Sequence, residues 1–153
     1  MSARALAIVA TLLVAACDTY TPPPAPADPD PAPADPIEAR LRVRARAEAP
    51  YMVRQGEAWR ATLAAGERWS FTAVLPPGLC YKVLAQGADS LTELDLFLYE
   101  EDGVLAQQDA TTGSGAILGT AQPLCPQEAQ QIRVEARATE GTGTVVAQLY
   151  ASP

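Results

Sequence analysis

Seven carboxylates, Asp89, Glu93, Asp95, Glu100, Glu101, Asp102 and Asp109, gather around one apolar stretch at residues 94–99. Clustered carboxylates repel one another unless they are neutralised, and calcium takes six to eight oxygens from such groups. Glu93, Asp95 and Asp102 are the calcium candidates on this argument. The favoured reading is that turn and strand-edge acids face water, with Asp102 and Gly103 serving as turn residues. No EF-hand spacing occurs, so no metal and no cofactor are expected. A carboxylate pair can do general acid–base work, but almost any acidic domain offers such pairs. The chain has no histidine, which removes the Ser-His-Asp and Cys-His arrangements. No G-x-S-x-G elbow or P-loop is present, so no catalytic residues are expected. Six aromatic residues, Trp59, Trp69, Phe71, Tyr81, Phe97 and Tyr99, have the chemistry to stack on sugar rings. Alternation assigns Trp59, Trp69 and Phe71 to the core. Phe97 and Tyr99 lie opposite the Leu94, Leu96 and Leu98 face, which makes them the candidates for ligand binding or for a second layer. The Gly/Ser/Thr segment at residues 111–115 reads as a tolerant surface loop.

The elements that must carry these residues are mostly strands. Trp59, Ala61 and Leu63 alternate with Arg60 and Thr62, and Trp69, Phe71, Ala73 and Leu75 alternate with polar residues. Tyr81, Val83 and Ala85, then Leu94, Leu96 and Leu98, then residues 104–107, continue the pattern. Ile132, Val134 and Ala136 precede a Gly-rich turn at residues 140–143 and a last strand through Val145, Ala147 and Leu149. Short strands separated by Gly/Pro turns predict an all-β, antiparallel, jelly-roll-like β-sandwich over residues 55–153. Residues 37–54 are ambiguous. Arg40, Arg42, Arg44 and Arg46 alternate with apolar residues as in a strand, whereas the Ala/Arg/Glu/Leu composition and bracketing Pro36 and Pro50 favour a short helix over an extended lead-in. The arginines could meet lipid phosphates or an acidic partner. Pairing with Glu38 and Glu48 on a solvated face is preferred. With 18 acidic against 11 basic residues, the chain lacks the basic footprint of a nucleic-acid binder.

The first residues carry targeting information. Arg4 precedes an apolar run at residues 5–16 that ends in Ala15 and Ala16. This is the layout of a signal peptide, and it is too short to span a bilayer. The Ala15-Ala16-Cys17 ending resembles the lipobox of bacterial lipoproteins. That resemblance implies cleavage after residue 16, a lipid such as palmitate on Cys17, and an anchor in the inner or outer membrane of the bacterial cell envelope, with the domain in the periplasm or at the cell surface. Asp18 resembles the inner-membrane retention signal of some enteric bacteria, and both membranes stay open. Residues 17–36 then form a lipid-anchored Pro/Ala/Asp-rich linker with eight prolines, expected to be extended. If Cys17 carries lipid, Cys80 and Cys125 remain as one pair, which in an exported domain reads as a disulfide.

Two segments, Leu63-Ala64-Ala65-Gly66-Glu67 and Leu94-Asp95-Leu96-Phe97-Leu98-Tyr99-Glu100-Glu101-Asp102-Gly103, resemble the bacterial pre-peptidase C-terminal (PPC) domain, and Gly141-Thr142-Gly143 with Tyr150 loosely occupies its terminal strand. Glu93 stands where that family often has its first Asp. The resemblance implies a non-catalytic β-sandwich of the kind appended to secreted proteases, some members of which bind collagen or polysaccharide. No protease accompanies it in this sequence. The expected function is therefore a membrane-anchored, non-enzymatic binding or structural module contacting an envelope protein or polysaccharide. The alternative is an accessory or carbohydrate-binding domain assisting a separate secreted hydrolase.

Overall fold

The computed structural model describes residues 33 and 35–152. Residues 1–16, where a signal segment is expected, Cys17, and most of the expected linker lie outside the described residues. One helix precedes eight strands: α1 (Pro36–Glu48), β1 (Val53–Leu63), β2 (Arg68–Leu75), β3 (Cys80–Gly87), β4 (Leu91–Tyr99), β5 (Leu105–Asp109), β6 (Gly115–Leu118), β7 (Gln130–Gly141) and β8 (Gly143–Ser152). The ambiguous segment at 37–54 thus resolves as helix for most of its length, and the sandwich begins at Val53, two residues earlier than expected.

Two four-stranded sheets form, in the orders β1-β8-β3-β6 and β2-β7-β4-β5. Their ladders are antiparallel. Apart from the β4–β5 hairpin, each connection crosses from one sheet to the other. This is the jelly roll, eight strands wound as two Greek keys. Leu75, Leu94, Leu96, Leu98, Ile132, Val134, Val145 and Ala147 are among the side chains buried between the sheets. At the β1/β2 edge the rings of Trp59 and Phe71 stack with centroids 4.1 Å apart, and Trp69 tilts against Phe71 at 5.2 Å. The assignment of these three aromatics to the core holds. The β7–β8 turn is a single residue, Thr142. It depends on Gly141, whose φ is +85° and whose missing Cβ would overlap the Ser90 carbonyl oxygen.

A third layer lies on the first sheet. Asp35 caps α1 by accepting a hydrogen bond from the Glu38 N–H at 2.8 Å, and Pro36 stands in the first turn. Leu41, Ala45 and Ala49 recur at four-residue spacing and pack on Leu84, Val146 and Tyr150, the outer face of β3 and β8. Four-residue spacing would put these three on one side of a strand as well, so the helix is decided by its Asp35 cap, the Pro36 start and its helix-forming composition. The alternating arginines separate into distinct tasks. Arg40 donates to the Gly87 carbonyl at 3.1 Å and pairs with Asp89 at 2.9 Å. Arg44, one turn later, donates to the Ala85 carbonyl at 2.8 Å and pairs with Glu48 at 2.8 Å. Its guanidinium lies over Gly115, where a Cβ would collide with it. Arg42 pairs with the buried Glu38 at 2.6 Å, and Arg54 and Arg60 reach the same carboxylate. Pairing with Glu38 and Glu48 was expected, but on a solvated face, whereas Glu38 is buried. The clamping of Arg40 and Arg44 onto β3 carbonyls was not expected.

Asp35 also pairs with Arg60. Burial pushes its carboxyl up, but the Glu38 N–H and the Arg60 guanidinium outweigh burial and hold it below its ordinary 3.8. A carboxyl lowered on folding stabilises the fold above its unfolded pKa, and that contribution is lost as pH falls through the folded value. Thermal melts of the natural chain and Asp35→Asn should therefore differ by a few degrees at pH 6 and converge as pH drops below about 3.8. A gap equally wide at pH 2.5 would count against this account.

The Cys80–Cys125 disulfide is formed, with the Cα atoms 4.2 Å apart. It ties the first residue of β3 to the β6–β7 connection, where a link between two strands was expected. Next to it the Tyr81 N–H donates to the Leu124 carbonyl at 2.8 Å. Among the described residues no helix is long and apolar enough to cross a membrane.

Candidate functional site: the open face of the second sheet

The two sheets differ in what covers their outer faces. On the outer face of β1-β8-β3-β6 an apolar patch of Leu84, Val146 and Tyr150 lies under α1. The outer face of β2-β7-β4-β5 is polar and aromatic, and Arg68, Ser70, Thr72, Val74, Leu105 and Gln108 on it are exposed.

Register builds this face in rows. Arg68, Arg137 and Asp95 stand side by side across β2, β7 and β4. The next row is Ser70, Glu135, Phe97 and Gln108, and the third is Thr72, Arg133, Tyr99 and Leu105. Strand alternation does this, since the neighbours Leu94, Leu96, Leu98, Val134 and Ala136 all turn inward. Phe97 and Tyr99 are therefore on the outer face, as expected from sequence, and both are half-buried.

The Arg133 guanidinium lies 4.0 Å from the Tyr99 ring centroid, a cation–π contact. Tyr99 thus supports an arginine on that side of its ring, which corrects the view of it as a free stacking platform. Glu135, 9 % exposed, takes Arg68 and Arg133 at 3.4 Å each. Asp95, 6 % exposed, accepts from the Thr139 hydroxyl at 2.6 Å through Oδ2. Its Oδ1 and the Nε of Arg137, its cross-strand neighbour, are buried without a hydrogen-bond partner. Within these rows three guanidiniums face two carboxylates, so N–H donors are in excess there, while the next pair along β4 and β7, Glu93 and Glu140, is acidic.

The calcium candidates are not brought together. Asp95 has Arg137 directly opposite, a cation where a metal would need another oxygen. Glu93 lies near one end of β4, roughly 20 Å of extended chain from its other end, and Asp102 lies beyond that end, in the β4–β5 turn, where Oδ1 accepts from the Val104 N–H at 3.0 Å. Among the described residues no three His, Cys, Asp or Glu side chains are placed to hold a metal ion. Asp109 also has a structural task. Its carboxylate accepts from the Thr111 hydroxyl at 2.8 Å and the Ile117 N–H at 2.7 Å, fastening the 111–115 loop. The chain matches no family model, and no curated protein matches it.

The sequence reasoning missed Arg68, Arg133, Glu135, Arg137 and Thr139 as site residues. The available signal was the run Arg133-Val134-Glu135-Ala136-Arg137, in which charges occupy every second position of a strand whose other face is apolar.

Proposed function

We propose that this chain is a membrane-anchored, non-enzymatic binding module of the bacterial cell envelope, and that it binds through the outer face of β2-β7-β4-β5. One observation carries the proposal: the molecule covers the outer face of β3 and β8 with a helix and leaves the outer face of the other sheet open, set with arginines supported by buried carboxylates and a tyrosine. The Cys80–Cys125 bond supports an oxidising compartment. The lipobox-like Ala15-Ala16-Cys17 supports a lipid anchor, and the likeness to PPC domains supports a non-catalytic role. A photo-crosslinking residue at exposed Ser70 in cells making the full chain should trap an envelope partner, whereas one at exposed Glu57 in β1 should not. Equal capture at both positions would refute the assignment of this face. The same experiment separates the alternative reading, an accessory domain for a secreted hydrolase, because the trapped partner would then be the hydrolase or its glycan substrate. Phe97 and its neighbouring hydroxyls on an exposed sheet face favour that second reading.

A further inference from the structure

We infer that the open face recognises a carboxylate-bearing sugar polymer, a uronate glycan. The inference rests on the binding role proposed above and specifies its ligand class. None of the three guanidiniums on the face is saturated. Arg68 and Arg133 each have one carboxylate oxygen at 3.4 Å, long for a charge-assisted bond, and both draw on the same Glu135. Arg137 has an unpartnered Nε beside the unpartnered Oδ1 of a 6 % exposed Asp95. A guanidinium presents five N–H donors in a fixed fork that matches a carboxylate two bonds at a time. Stacking on Tyr99 fixes the plane of the Arg133 fork without using its N–H groups.

Three features favour a glycan over an acidic protein segment. The face is the flat side of a sheet, whereas protein hot spots seat apolar anchors in pockets. Large exposed apolar side chains on it are Val74 and Leu105, on the two edge strands. The hydroxyls of Ser70, Thr72 and Thr139 stand among the arginines and match a ligand rich in hydroxyls. Arg133 and Arg137 are four residues apart on one strand, about 13 Å, so the two guanidiniums can meet two separate charges of one extended polymer. The chain's net charge of −7 does not forbid this, because at physiological ionic strength charges farther than about 8 Å are largely screened.

The test measures binding of the full chain to polygalacturonate, with dextran and poly-glutamate as comparison probes. Polygalacturonate should bind, dextran should not, and poly-glutamate should bind at least tenfold more weakly. Arg133→Ala with Arg137→Ala should lower polygalacturonate affinity at least tenfold, and Arg133→Lys, which keeps the charge and loses the fork, should lose most of that. Ser70→Glu places a negative charge on an exposed site and should abolish binding with the far-UV circular dichroism unchanged, even if the melting temperature falls because Glu135 stands opposite, which keeps the test decisive if the arginine variants fold poorly. Equal binding of poly-glutamate, or undiminished binding by Ser70→Glu, overturns the ligand class. If polygalacturonate fails to bind while the crosslink from position 70 persists in cells, the ligand class falls and the binding face stands. If both fail, the binding role falls with it.

Discussion

Removing the Cys80–Cys125 bond lowers the melting temperature of the domain by roughly ten degrees or more. The two cysteines are 45 residues apart in sequence, and closing a loop of that length stabilises by about 4 kcal/mol in the chain-entropy description. For a domain between the small and middle size ranges, each kcal/mol moves the melting temperature by about 3–5 °C. The enclosed loop contains all of β4, β5 and β6, so the crosslink restricts an unfolded chain that would otherwise separate the middle of the jelly roll from β3. The comparison is the double variant Cys80→Ala, Cys125→Ala, which leaves no odd thiol, against the natural chain in calorimetry without reductant. Thiol titration of the denatured natural domain should find neither cysteine free. A shift under about 2 °C would mean that the backbone bond from the Tyr81 N–H to the Leu124 carbonyl holds the β6–β7 connection without the crosslink.

Loosening α1 has the second large effect. Leu41 is 1 % exposed, and truncating a buried leucine costs about 2–5 kcal/mol through lost burial and the cavity left behind. Leu41→Ala should therefore lower the melting temperature by roughly ten degrees and raise the fluorescence of a hydrophobic dye, because Leu84, Val146 and Tyr150 lose their cover. Gly115→Ala tests the same docking from the sheet side. Its Cβ would collide with the Arg44 guanidinium and displace the bonds from Arg44 to the Ala85 carbonyl and the Gln86 side chain. It should raise hydrogen exchange in α1 more than in β4 and β7. If Leu41→Ala leaves both stability and dye binding unchanged, α1 contributes nothing to the sandwich.

Much of this architecture is legible in one dimension because strand burial is a local code. Alternation in 59–63, 69–75, 94–98 and 132–136 marks which side chains turn inward, and a Gly- or Pro-bearing turn follows each strand. Strand β6 was not legible as a strand. Its four residues, Gly115–Leu118, are too few to show a period, and they are ordered by pairing with β3 and by the Asp109 carboxylate. The third layer had a signal that alternation hid. Leu84, Val146 and Tyr150 are apolar on what alternation marks as the solvent side, and β8 is buried on both faces as a result.

The sequence by itself determined the strand-rich fold class, the inward residues of most strands, and the placement of Phe97 and Tyr99 on the outer side of β4, because period-two burial needs no knowledge of distant neighbours; the pairing of Cys80 with Cys125 followed from it only on the expectation that Cys17 is taken by lipid, and the structure shows the bond directly. Tertiary structure alone decided the rest. The Arg/Ala alternation of residues 40–47 fits a strand or a helix equally well until β3 and β8 supply the surface that Leu41 and Ala45 bury against. Likewise Arg68, Arg137 and Asp95 are scattered over 70 positions of sequence and become a row only when β2, β7 and β4 pair in one register. A binding face made from three strands is a property of that register, and register is set by the burial of every strand at once.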